Sequence, residues 1–153
     1  MGGRGAASRG GRGGSNSGGG TPRTKSSIGV QRDSIKSSVS GNLKGKVWSK
    51  TIRLDGGGKS TISIGVDKDG IKHVSNDILK FRVISEKDIP KLAGQLKNSS
   101  YVAHSGLKHP RKDNIDHFYY FKARGKNLYF NVGRKTNRNG NVHYELYSIT
   151  EKI

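Results

Sequence analysis

The sequence predicts an α+β domain behind a disordered tail rich in glycine and arginine. Three observations carry this reading. Alternating β-branched residues form a hairpin pattern in the first half of the chain. A run of apolar residues at helical spacing follows. Three strand-like segments separated by turn signals then close the chain.

The tail comes first. Met1 to Lys25 holds ten of the 23 glycines and no large apolar residue after Met1. Such a segment buries too little surface to offset the entropy of ordering it, so residues 1–27 are expected to be disordered. Residues 28–46 form a transition segment in which Pro22, just upstream, and the serine-rich pieces point to turns. The domain then spans 47–153. Val47 to Leu54 reads as a first strand anchored by Trp48, and Asp55-Gly56-Gly57-Gly58-Lys59 as a turn. Ser60 to Val66 reads as the second strand of a hairpin. Asp69-Gly70 is expected to close another turn before Ile71-Lys72-His73-Val74. Ser75-Asn76-Asp77 marks a further turn or helix start. Ser85 and Asp88 fit a capping box, and Ile89, Leu92, Ala93 and Leu96 share one helical face, with Pro90 tolerated in the first turns. Ser100 to His104 is a short strand, and Ser105 to Asp113 a basic loop. Asp116 to Ala123, Asn127 to Val132 and His143 to Thr150 are three further strands, with turns at Arg124-Gly125-Lys126 and Asn139-Gly140. The expected architecture is an N-terminal hairpin and one or two helices packed on a twisted three- to four-stranded antiparallel sheet. One face of that sheet is left open.

Charge then narrows the function. The formal net charge is +18. Arg4, Arg9, Arg12, Arg23 and Lys25 supply only five of those charges, so the excess belongs mainly to the folded part. Nucleic acid is the expected polyanion. No basic amphipathic helix suited to a membrane surface stands out, and no apolar run approaches a membrane span. The N-terminus lacks the apolar core of a signal peptide, so a cytoplasmic site of action is expected. With no cysteine, disulfides, thiolate nucleophiles and cysteine-based zinc sites are excluded. Gly58-Lys59-Ser60 imitates the end of a phosphate-binding loop, but Arg53 stands where its first glycine belongs. The five histidines show no compact metal-ligand spacing, so neither a metal nor a cofactor is expected. Eleven acids against 29 bases is a poor background for paired-carboxylate or two-metal chemistry.

That background suits cleavage of RNA without metal. A base takes the 2′-OH proton, the oxygen attacks phosphorus, an acid protonates the leaving 5′-oxygen, and cations hold the non-bridging oxygens. His73 and His117 are the candidate acid and base. Lys122 is a candidate catalytic cation, with Lys72 and Arg134 left open as alternatives, and Ser148 and Thr150, on one face of the last strand, are candidate hydroxyl donors. Lys72, Lys108, Arg111, Arg124, Tyr129, Asn131, Arg134 and Tyr147 are candidate RNA contacts, cations for phosphate and rings for bases. Alternation puts Leu128, Phe130 and Val132 on the helix side and Tyr129 and Asn131 on the other. It leaves the last strand ambiguous, because Leu146 is out of phase with Tyr147 and Ile149. His104 and His109 are read as phosphate contacts or bystanders in or beside the basic loop, and His143 as an exposed residue after a turn.

Several segments together carry a resemblance. They are Ile71-Lys72-His73-Val74, Asp88-Ile89-Pro90-Lys91-Leu92, Ser100-Tyr101-Val102, Phe118-Tyr119-Tyr120-Phe121-Lys122, Leu128-Tyr129-Phe130-Asn131-Val132 and the ending Tyr144-Glu145-Leu146-Tyr147-Ser148-Ile149-Thr150. In this order they resemble the phage-associated and polymorphic-toxin branch of the barnase–EndoU–colicin–RelE nuclease superfamily (the BECR fold), over about Val47 to Lys152. The resemblance implies a metal-independent endoribonuclease acting on tRNA or mRNA, as a phage-encoded or toxin-like effector. It also implies a catalytic histidine matched by His73 and hydroxyls matched by Ser148 and Thr150. An acidic immunity or antitoxin protein is the partner expected of such a basic toxin. The competing expectation is a non-catalytic nucleic-acid-binding protein that uses the basic sheet and the Arg9-Gly10-Gly11-Arg12 tail.

Overall fold

The computed structural model describes residues 24–107 and 114–153. Of residues 1–27, expected to be disordered, 1–23 lie outside the described residues, as do Lys108, His109 and Arg111 of the basic loop, whereas 24–27 are helical, which corrects the expectation there. The chain divides after Asp33. Before that point, residues 24–33 form the start of helix α1, Thr24–Leu43. After it come the rest of α1, strands β1 (Trp48–Arg53) and β2 (Lys59–Gly65), helix α2 (Lys68–Phe81), and a 3-10 helix, Glu86–Lys91. Helix α3 (Leu92–Lys97) and strands β3 (Ser100–Gly106), β4 (Ile115–Lys122), β5 (Tyr129–Thr136) and β6 (Val142–Thr150) complete the order.

The α+β class holds, and the sheet is larger than expected. The strands form one six-stranded mixed sheet in the order β1-β2-β6-β5-β4-β3. The hairpin joins the meander through a parallel contact, Ile64 opposite Tyr144 and Gly65 opposite Glu145. All other pairings are antiparallel. The sheet curls until its edge strands approach, giving a near-barrel. At that seam, Lys50 Nζ on β1 donates to the carbonyls of Lys97 and Ser99 beside β3. The expected three- to four-stranded antiparallel sheet is corrected accordingly. The β2–β6 pairing joins segments some eighty residues apart, and local alternation carries no trace of it.

Two helical segments also differ from expectation. The supposed transition segment is the helix α1. Its serines and glycines are weak helix formers, so the element depends on tertiary burial. Ile35, Val39 and Leu43, one turn apart each, are fully buried. Gly45, at φ +80°, turns the chain out of the helix, where a left-handed residue is needed. The second correction is α2. Asp69-Gly70 is no turn: it lies in the first turn of a helix capped by Asp67, whose carboxylate accepts from the Gly70 N–H at 2.9 Å. Ser75-Asn76-Asp77 falls inside this helix rather than starting one. Gly70 is needed for packing, since a Cβ there would sit 2.2 Å from the Leu146 carbonyl oxygen of β6.

The Ser85–Asp88 pair does meet, through the Ser85 hydroxyl on Asp88 Oδ2 at 3.0 Å, but Ser85 makes no side-chain cap to the backbone. Pro90 lacks an N–H for the α ladder, so a 3-10 helix precedes α3. Ile89, Leu92 and Leu96 are buried as their spacing implies. They join Trp48, Ile52, Ile64, Val74, Phe121, Phe130, Val132, Leu146 and Ile149 in a single core. That core lies on the inner face of the sheet. Among the described residues, no helix is long and apolar enough to cross a membrane.

Candidate functional site

The two faces of the sheet carry different chemistry. On the outer face, strand alternation and register bring together rows from β4, β5 and β6. Lys122, Tyr129 and Thr150 form one row, and Tyr120, Asn131 and Ser148 the next. The ambiguity of β6 is resolved by an irregularity in the β5–β6 register, where Asn131 pairs with Ser148 and Val132 with Leu146. Tyr147 is the extra residue of this bulge. Leu146 and Ile149 therefore both point into the core, where both are buried. Ser148 and Thr150 stay outside.

Asn131 organises this face. It is only 8% exposed, and its Nδ2 donates to Ser148 Oγ at 2.8 Å and to Thr150 Oγ1 at 3.3 Å. Its Oδ1 is buried without a hydrogen-bond partner among the described residues. A buried amide oxygen in that condition is a costly feature that a ligand donor would relieve. The bulged Tyr147 carries its ring to α2, where it stacks on His73 with centroids 4.4 Å apart. One turn further along α2, Asp77 Oδ2 accepts the Ile149 N–H at 3.0 Å. His73 and Asp77 thus clasp β6 on either side of Ser148. Burial pushes the Asp77 carboxyl up to about 6, against the lowering effect of the Ile149 hydrogen bond. Phe118 meets Tyr147 edge-on at 5.3 Å and lies beside Tyr120 at 6.5 Å, extending a row of rings.

Of the residues singled out from the sequence, His73, Lys122, Tyr129, Asn131, Tyr147, Ser148 and Thr150 come together on or beside this face. Lys72 is exposed on α2, and Arg124 is exposed at the tip of the β4–β5 turn. His143 is exposed at the start of β6. His117 and Arg134 do not belong to this group. They pair across β4 and β5 on the inner side, in line with buried Tyr119 and Phe121.

Around them lies a second cluster that sequence reasoning largely missed. His104 Nε2 is 2.6 Å from Asp55 Oδ1, and its Nδ1 is 2.5 Å from the Tyr101 hydroxyl. His117 Nε2 lies 3.9 Å from the other Asp55 oxygen, and its Nδ1 lies 3.5 Å from Asp116 Oδ1. Arg134 Nε donates to that same Asp116 oxygen at 2.7 Å, and Thr136 Oγ1 donates to the other at 3.3 Å. The Arg134 hydrogen bond holds the Asp116 carboxyl below its usual range. His104 does the same for Asp55. The one available signal was the His117–Tyr119 alternation. Asp55 is 49 residues from His104 in the chain, and an irregularity between Tyr101 and Ala103 hides the phase of β3. Among the described residues, no group of three His, Asp or Glu is placed to hold a metal.

Compared with protein-family models, curated proteins and solved structures, the chain matches none.

Proposed function

We propose that the chain is a metal-independent endoribonuclease whose active site is the outer sheet face beside α2. The observation that carries this reading is the His73–Tyr147 stack against the Ser148–Asn131–Thr150 hydrogen-bonded cluster. It brings an imidazole and two hydroxyls together on the outer face of the sheet, with the buried Asn131 amide hydrogen-bonded to both hydroxyls. In this mechanism His73 exchanges the proton with the ribose 2′-OH or the leaving 5′-oxygen. Tyr147 fixes the plane of the imidazole. Ser148 and Thr150 donate to the non-bridging oxygens, and Lys122, in the next row, adds positive charge as it builds in the transition state. Asn131 orients both hydroxyls by donating to them from Nδ2. Asp77 acts as a positioning residue through Ile149 and does not touch substrate. Phe118, Tyr120 and Tyr147 offer rings on which unpaired bases stack, which favours single-stranded or loop RNA.

The intended substrate is intracellular RNA, such as tRNA or mRNA, and the partner the +18 charge favours is an acidic inhibitor covering this face. A second reading, a non-catalytic RNA-binding protein, is favoured by the same row of rings, because stacking needs no proton transfer.

The deciding experiment is cleavage of RNA by the purified chain in EDTA, with His73→Ala as comparison and circular dichroism to confirm folding. The expected result is products ending in 2′,3′-cyclic phosphate and a loss of roughly 10²- to 10⁴-fold in rate for His73→Ala. Undiminished cleavage by the variant removes His73 from the mechanism. Salt-sensitive binding with no cleavage of bulk RNA or of tRNA establishes the binding-protein reading instead.

A further inference from the structure

The His104–His117 cluster lies apart from the outer face and plays no part in the proposed cleavage. Its geometry is that of an anion site already occupied by the chain's own carboxylate. Both Nε2 atoms converge on Asp55, one on each oxygen, at 2.6 and 3.9 Å, and the two ring centroids are 6.5 Å apart. Behind the His104 ring a hydrogen bond holds the orientation, whereas His117 Nδ1 is buried without a hydrogen-bond partner among the described residues. Tyr101 meets His104 Nδ1, and Asp116, itself pinned by Arg134 and Thr136, faces His117 Nδ1. Gly106 is opposite His117 in the β3–β4 ladder. A Cβ there would lie 3.0 Å from His117 Nε2, so any side chain at this position would crowd the nitrogen.

The occupying group is the least anchored part of the cluster. The His104 and His117 side chains are 19% and 21% exposed, whereas the Asp55 side chain is 81% exposed. Asp55 opens a turn followed by Gly56, Gly57 and Gly58, with Gly57 at φ +90° and so in a conformation suited to glycine. Among the described residues, the Asp55 carboxylate has no hydrogen-bond or ion-pair partner besides the two histidines. An exposed carboxylate–imidazole pair of this kind is weakly held. Beside it lies an open groove of about 500 Å³ lined by Arg53, Leu54, Asp55, Tyr101, Val102 and His104. The remaining acid, Asp116, is already neutralised by Arg134. The His104 and His117 Nε2 atoms both face the Asp55 position, with Arg53 lining the groove beside it. Two donors spaced to reach two oxygens of one anion match a phosphate group.

We propose that His104 and His117 form a phosphate-binding site and that Asp55 fills it as an intramolecular anion until a phosphate displaces it. The chemistry is shared by a free phosphate and by a phosphodiester of a nucleic acid. The site stands independently of the His73 reading.

The test is proton NMR of the imidazole Cε1–H signals, assigned by single histidine substitutions. The full chain is titrated with inorganic phosphate and, separately, with a deoxyribose dinucleotide that has no 2′-OH to attack. Wild type, Asp55→Ala and His73→Ala are compared. In the expected result, the His104 and His117 signals move together, the exposed His143 signal stays put, and Asp55→Ala binds about fivefold more tightly. His73→Ala, with the outer-face histidine gone, responds as wild type does, which keeps a failure of either proposal separate from the other. Tighter binding of the dinucleotide than of inorganic phosphate assigns the site to nucleic acid, and the reverse assigns it to free phosphate. Signals that stay fixed in Asp55→Ala at saturating phosphate overturn the proposal. So does a response that Asp55→Ala leaves no tighter. Because Asp55 lies in an exposed turn, its substitution leaves the fold intact for this comparison.

Discussion

Asp77 shows how a single residue couples the candidate site to stability. Its carboxyl is pushed up to about 6 by burial. A carboxyl whose folded pKa lies above its unfolded value binds its proton more tightly when folded. Stability from this group is therefore highest below the unfolded value of about 4 and falls as pH rises toward about 6, above which the cost is fully present. Asparagine keeps an oxygen for the Ile149 N–H and removes the buried charge. Asp77→Asn is thus expected to raise the melting temperature at about pH 8 and to change it little near pH 4. Thermal melts at the two pH values check this, and an equal gain at both would mean that ionisation is not its source. Asp116 has the opposite sign, because its pKa is held low by Arg134, so its contribution is lost under acid conditions. At this scale the outward phase of Tyr129 and Asn131 was legible, since alternation along a strand is a local property, whereas that of Ser148 and Thr150 waited on the bulge at Tyr147. Asp55 was not legible, since its partners come from two distant strands, His104 on β3 lying 49 residues away and His117 on β4 further still.

At the scale of the element, α2 is the decisive piece. It packs along the edge of β6 that β2 leaves unpaired beyond Glu145, and it brings both His73 and Asp77 to that edge. The approach is close enough to require glycine at position 70. Gly70→Ala improves helix propensity on its own, yet the added Cβ would overlap a backbone oxygen that cannot swing away. The expected net effect is a destabilisation of about 1–3 kcal/mol, measured by chemical denaturation. A stabilised variant would show that the helix can shift off the strand at no cost. The sequence reading took Asp69-Gly70 for a turn because both residues favour turns. It took residues 28–46 for a transition segment because Pro22 and the serine-rich pieces point to turns. In both cases burial against the sheet outweighs intrinsic preference. Where the apolar pattern was strong, at Ile89, Leu92 and Leu96 or along Leu128, Phe130 and Val132, the buried face was read correctly.

For the whole molecule, the charge of +18 sets the strength of any encounter with RNA. Binding is expected to weaken steeply with salt as counterions are released. If Lys122 contacts a phosphate, Lys122→Gln should reduce the slope of log affinity against log salt by about 1, with sequence preference unchanged. Titrating a 2′-O-methylated RNA, which resists 2′-OH attack, at several salt concentrations measures this. An unchanged slope would place Lys122 outside the RNA path. The sequence by itself determined the α+β class, four strands of the meander, the α3 face and the basic character, because each follows from local periodicity or composition. The tertiary structure alone decided the parallel β2–β6 junction, the closing of the sheet toward a barrel, the bulge at Tyr147 and the meeting of Asp55 with His104 and His117. Those features depend on contacts between residues far apart in the chain, where backbone hydrogen bonds and shared burial, rather than any local pattern, select the partner.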